Sequence, residues 1–145
     1  IGSIMFILFG FGYGRPVIYN AMRLSRKIDE LLIALAGPVS NLLLAIGLNA
    51  LALLLGKLGF PETTGAFLQL AALINVYLAA FNMVPIPPLD GSAIVAYFWP
   101  EYRSLAGSQL GLIILLAVVF TGALGIVLNP VIIGFSHVAT LFGLL

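Results

Sequence analysis

Two stretches of this chain carry residues that could do chemistry, and both lie in apolar surroundings. The first is Asn82-Met83-Val84-Pro85-Ile86-Pro87-Pro88-Leu89-Asp90-Gly91, where three prolines fall within four residues and a carboxylate follows. Proline lacks a backbone donor and restricts the residue before it, so a helix entering this stretch breaks at Pro85. Irregular backbone bearing an acid is costly in an apolar medium unless it lines a cavity or a buried site. The stretch therefore reads as a break in a membrane helix that aims Asp90 at a site. A second reading stands equally: Asp90 caps the helix that follows by accepting a bond from a backbone N–H.

The second stretch is Gly37-Pro38-Val39-Ser40-Asn41. Gly37 and Asn41 are four residues apart, hence on one helix face, and Asn49 extends that face by two more turns. A glycine lets another backbone approach, and an asparagine beside it can hydrogen-bond there. Polar glue between membrane helices uses the same residues. Asn75 and Asn82, seven apart, share a face in the same way. The single histidine, His137, stands near Ser136 and Thr140 and reads as a hydrogen-bonded or interfacial residue rather than a ligand.

The elements that must position these residues follow from composition. Of 145 residues 62% are hydrophobic and 8% charged, and mean hydropathy is +1.20. Soluble domains carry about 25% charged residues, so this is an integral membrane protein of all-α class, a single membrane-embedded domain over 1–145. A net charge of +1 offers no basic surface for nucleic acid, and the absence of cysteine excludes disulfides and thiolate metal sites. The chain opens on Ile1 rather than methionine and is expected to be the C-terminal part of a longer protein.

Spans are predicted at 31–55, 66–84 and 108–128, the last ended by Asn129-Pro130. Residues 1–30 form a strand or loop region. Within it the alternation Phe9-Gly10-Phe11-Gly12-Tyr13-Gly14 suggests an extended segment, and the tail of a helix is the alternative. Gly91 to Tyr102 is predicted as a short or interfacial helix anchored by Tyr97, Phe98 and Trp99. Val131 to Leu145 is short for a span and is expected to be interfacial or re-entrant. Arg15, Arg23, Arg26 and Lys27 favour a cytoplasmic location for the first loop. That puts Asp90 toward the cytoplasmic side of a multi-pass protein, expected in a bacterial or archaeal cell membrane.

The two stretches together resemble the site-2 protease family, the intramembrane zinc metalloproteases of peptidase family M50. The resemblance rests on Ala36-Gly37-Pro38-Val39-Ser40-Asn41 and on Asn82 through Gly91, with Gly14-Arg15-Pro16-Val17 in support, and covers roughly residues 9–98. It implies a zinc ion held by two histidines of an H-E-x-x-H helix and by the aspartate of Leu89-Asp90-Gly91. It implies a glutamate of the same helix as general base. Asn41 and Asn82 match asparagines near the family's site, where they would hold the substrate strand or polarise the scissile carbonyl. Gly37, Pro38, Pro85, Pro87, Pro88 and Gly91 match the structural residues of the two motifs. The implied partners are the lipid bilayer and a membrane-spanning protein substrate. No H-E-x-x-H occurs in this sequence, so the chain alone is expected neither to bind zinc stably nor to cleave peptides.

Two other functions fit the same residues. A non-catalytic homologue would bind membrane helices without cutting them. A transporter would use a proline-broken helix, an intramembrane acid and cavity-facing asparagines as its binding site.

Overall fold

A computed structural model describes residues 27–106 and 109–141. The segment predicted as strand or loop lies almost wholly outside them. Helix α1, Lys27–Lys57, carries the apolar run that starts at Leu31. Asp29 and Glu30 in its first turn and Lys57 in its last complement the helix dipole. Pro38 sits inside the helix, where it withholds a bond from the Ala34 carbonyl without ending the element. The helix closes in a Schellman turn. Gly59 takes φ +80°, the Phe60 N–H donates to the Leu55 carbonyl at 3.0 Å, and the Gly59 N–H donates to the Gly56 carbonyl at 3.1 Å.

That turn sends the chain back as α2, Glu62–Asn82, packed along α1. Ala45 on α1 meets Ala72 and Val76 on α2 in a core with no appreciable exposure. Small side chains here allow the close approach by which membrane helices associate. The proline break follows, then α3, Asp90–Phe98, which packs against α1. A short 3-10 turn at Pro100–Tyr102 leads into α4, Arg103–Ala106. Helices α5, Gln109–Phe120, and α6, Ala123–Leu141, complete the described chain. Helix α6 returns to pack on α2. A second core lies behind the break, where Val84 and Leu89 meet Leu115 of α5 and Leu128 of α6.

The segments Ile28–Lys57 and Glu62–Asn82 are long and apolar enough to cross a membrane, with mean hydropathies of 2.1 and 1.6. Their outward residues, Leu43 and Phe67 among them, are exposed apolar side chains suited to lipid. The described residues are mostly helical, with no strand among them, and the protein is an all-α membrane bundle.

The third expected span, 108–128, is not one straight helix. It is divided at Thr121-Gly122, where Gly122 adopts φ +72° and α5 and α6 meet at 79°. Taken together as one broken span, they make a third crossing. Asn129-Pro130, expected to end that span, lies inside α6 instead. A proline costs an apolar helix one internal bond, which its neighbours can absorb. The segment expected as a separate interfacial helix from Val131 is the continuation of α6.

Candidate functional site

The break places Asp90 by a series of close approaches. The last turn of α2 runs out through Met83, whose N–H still reaches the Ala79 carbonyl at 3.1 Å. The chain then tightens: the Ile86 N–H donates to Val84 at 2.8 Å and the Leu89 N–H to Ile86 at 2.9 Å. The peptide bond between Pro87 and Pro88 is cis. Helix α3 then starts on Asp90.

This start bears on the capping reading of Asp90. The N-cap of α3 is Leu89, and no side-chain capping bond forms there. Asp90 is the first residue inside the helix, so its carboxylate is not spent on the cap. The half-buried side chain turns toward α1. A β-carbon on Gly37 would lie 3.2 Å from Asp90 Oδ2, so the absence of a side chain at Gly37 makes room for the carboxylate.

Two more glycines hold the loop in place. Gly91 is buried against the loop that precedes it, and a β-carbon there would meet the Met83 carbonyl oxygen at 2.3 Å and that of Val84 at 2.6 Å. Gly111 on α5 accepts the buried Pro87 ring, whose Cβ would lie 2.5 Å from an added β-carbon. Pro87 is thus wedged between the break and α5. Pro38 and Pro85 line a cavity of about 370 Å³ between α1, α2 and α6, walled entirely by apolar residues that include Met83, Val84 and Leu128.

The asparagines behave differently from one another. Asn41 is half-buried one turn beyond Gly37, and Asn82 is half-buried as the last residue of α2. Asn82 thus adjoins the break in sequence, and no hydrogen bond joins either asparagine to Asp90 among the described residues. Asn75 is occupied within its own helix, donating to the Ala71 carbonyl at 2.8 Å. Asn49, 1% exposed, has neither amide atom hydrogen-bonded among the described residues and sits beside a separate cavity with Gln69 and Phe135. His137 is exposed on α6, and no three metal-ligating side chains cluster among the described residues. Asp90 fits a metal as a single carboxylate ligand, uncapped and backed by glycine, and further ligands are needed to complete a zinc centre.

Three contacts at the site escape a reading by motif: Gly111 on Pro87, the Tyr102 hydroxyl donating to the Pro85 carbonyl, and the Arg103–Glu30 ion pair. Only the second leaves a trace in sequence. Pro87 and Pro88 have no N–H to offer a carbonyl at Pro85, so a donor from elsewhere is required.

Comparison with known proteins gives the following likenesses. The family model described as peptidase family M50 matches residues 60–126, from the start of α2 through the break to the beginning of α6. Three relatives bear the printed name "Putative zinc metalloprotease". YwhC of Bacillus subtilis is 30% identical over 141 residues, covering 90% of this chain and 64% of its own length. MJ0611 of Methanocaldococcus jannaschii is 33% identical over 98 residues, covering 67% of this chain and 50% of its own. Rip3 of Mycobacterium tuberculosis is 34% identical over 80 residues, 54% of this chain and 20% of its own. The chain thus spans less than two thirds of each of these relatives. No solved structure matches it significantly. The match to the model of peptidase family M50 lies across the helix break that carries Asp90, and the likeness to YwhC runs along most of this chain.

Proposed function

We propose that this chain forms the carboxylate-bearing part of an intramembrane zinc metalloprotease that cleaves transmembrane segments. Asp90 supplies one zinc ligand. Two histidines and the glutamate of an H-E-x-x-H helix complete the centre from outside this sequence. The observation that carries the reading is the placement of the Asp90 carboxylate: uncapped at the start of α3, facing Gly37, on a loop fixed by Gly91 and by Pro87 against Gly111.

Zinc bound there would acidify a water and polarise the scissile carbonyl. The chain's own residues do the rest. Gly37 leaves the carboxylate room to turn toward a ligand instead of toward backbone. The amides of Asn41, one turn beyond Gly37, and of Asn82, at the end of α2, donate hydrogen bonds to the backbone of an unwound substrate or to its scissile carbonyl. The apolar cavity beside Pro38 and Pro85 accepts aliphatic side chains, which suits a substrate drawn from a membrane segment. The basic residues near the start of α1 support a cytoplasmic location for Asp90. The bacterial and archaeal relatives support a prokaryotic cell membrane.

The test uses the complete protein in detergent or bilayers, with zinc content and cleavage of a membrane-anchored reporter both measured. Asp90→Ala and Asp90→Asn are expected to lose zinc and to reduce cleavage to background. Asn41→Ala and Asn82→Ala are expected to keep zinc and lose turnover. Retention of zinc and cleavage by Asp90→Ala overturns the reading. A wild type that binds its reporter without zinc and without cleavage favours a non-catalytic homologue.

A further inference from the structure

The proline break leaves one acceptor with no local donor. In a helix the Pro85 carbonyl would receive the N–H of Leu89, and a tighter turn would need one from Pro88 or Pro87. The prolines carry none, and the Leu89 N–H is committed to Ile86. The donor arrives from seventeen residues along the chain, where the Tyr102 hydroxyl bonds to the Pro85 carbonyl oxygen. The next residue, Arg103, presents two guanidinium nitrogens to the Glu30 carboxylate in the first turn of α1. The 3-10 turn and the start of α4 therefore form a strap. One end holds the loop that leads into Asp90, and the other holds the helix whose Gly37 faces that carboxylate.

We propose that Tyr102 is a positioning residue for Asp90, acting through the Pro85 carbonyl, and that the Arg103–Glu30 pair sets the alignment of the strap on α1. The proposal rests on the reading of Asp90 as a zinc ligand. Exposed ion pairs contribute little to stability, and this one is exposed on the arginine side, so its effect is on alignment rather than on folding. The strap fixes the loop from the solvent side, whereas Gly91 and Gly111 fix it from within. Removal of the tyrosine hydroxyl frees the loop to move relative to α1 without opening a core.

The experiment compares wild type and Tyr102→Phe in the complete protein, with three readouts: unfolding temperature, hydrogen exchange at the Ile86 and Leu89 amides, and zinc loss to a chelator. Tyr102→Phe is expected to leave the unfolding temperature unchanged, to speed exchange at both amides, and to weaken zinc retention about 10- to 100-fold, as outer-shell changes do. Arg103→Glu is expected to weaken retention in the same direction, and Glu30→Arg combined with Arg103→Glu to restore it. Should Tyr102→Phe lower the unfolding temperature, the charge exchange decides: restoration supports the strap and failure to restore overturns it. If wild type holds zinc and Tyr102→Phe matches it in exchange and retention, the strap is overturned while Asp90 stands. If wild type holds no zinc, the reading of Asp90 falls and the positioning role falls with it.

Discussion

Asp90 and Gly37 are 53 residues apart in sequence, yet a β-carbon on Gly37 would lie 3.2 Å from the Asp90 carboxylate. The contact joins the two motifs of the sequence into one site. A glycine four residues before an asparagine on a membrane helix is ordinary packing material. Here it is the floor beneath a carboxylate.

Gly37→Val should therefore act on the site more than on the fold. The added branches would force the Asp90 side chain aside. A misplacement on the order of 1 Å costs about 100-fold in turnover. On the proposed function, the expected outcome in the complete protein is a loss of that size with the unfolding temperature nearly kept, and a smaller loss for Gly37→Ala. Steady-state cleavage of a membrane reporter beside a thermal unfolding curve checks it.

Gly91→Ala should act on both. Its β-carbon would collide with the carbonyls of Met83 and Val84, which are main chain and cannot rotate away. Destabilisation of about 1–3 kcal/mol is expected, as for other overpacked sites, together with loss of activity. Gly111→Ala, which would meet the Pro87 ring, should give a similar loss of stability. Both are read by thermal unfolding in detergent.

Asn49→Leu should move stability the other way. The Asn49 amide is buried with no partner among the described residues, so an apolar side chain of similar size removes an unpaired polar group. A gain of about 1–2 kcal/mol is expected, measured as a raised unfolding temperature. A fall would mean that the amide finds a partner in the complete protein.

The sequence was most legible where one signal ruled. The apolar runs of α1 and α2 and the proline break were visible, and the helix after the break was found to within a few residues. The third span is divided where the apolar run predicts one helix, because Gly122 takes a positive φ between α5 and α6 and nothing in the run marks that turn. Pro130 looked like an end because the cost of a proline was weighed without the neighbours that absorb it. At the site, whether Asp90 caps α3 depends on a shift of a single residue in where the helix begins, and helix ends are not fixed that finely by residue type. The partners of Gly111 and Tyr102 were not legible because they are remote in sequence.

The distance between the strap and the site along α1 bears on the products. Glu30, at the charged rim, and Gly37, beneath the carboxylate, are seven residues apart, or about 10 Å of helix. On the proposed function, a bond cut at that depth lies near one end of the target's apolar segment, well short of its middle. The two fragments are then unequal: a short stub departs with whatever soluble portion hangs from that end, and the bulk of the segment stays behind as a lipid-embedded remnant.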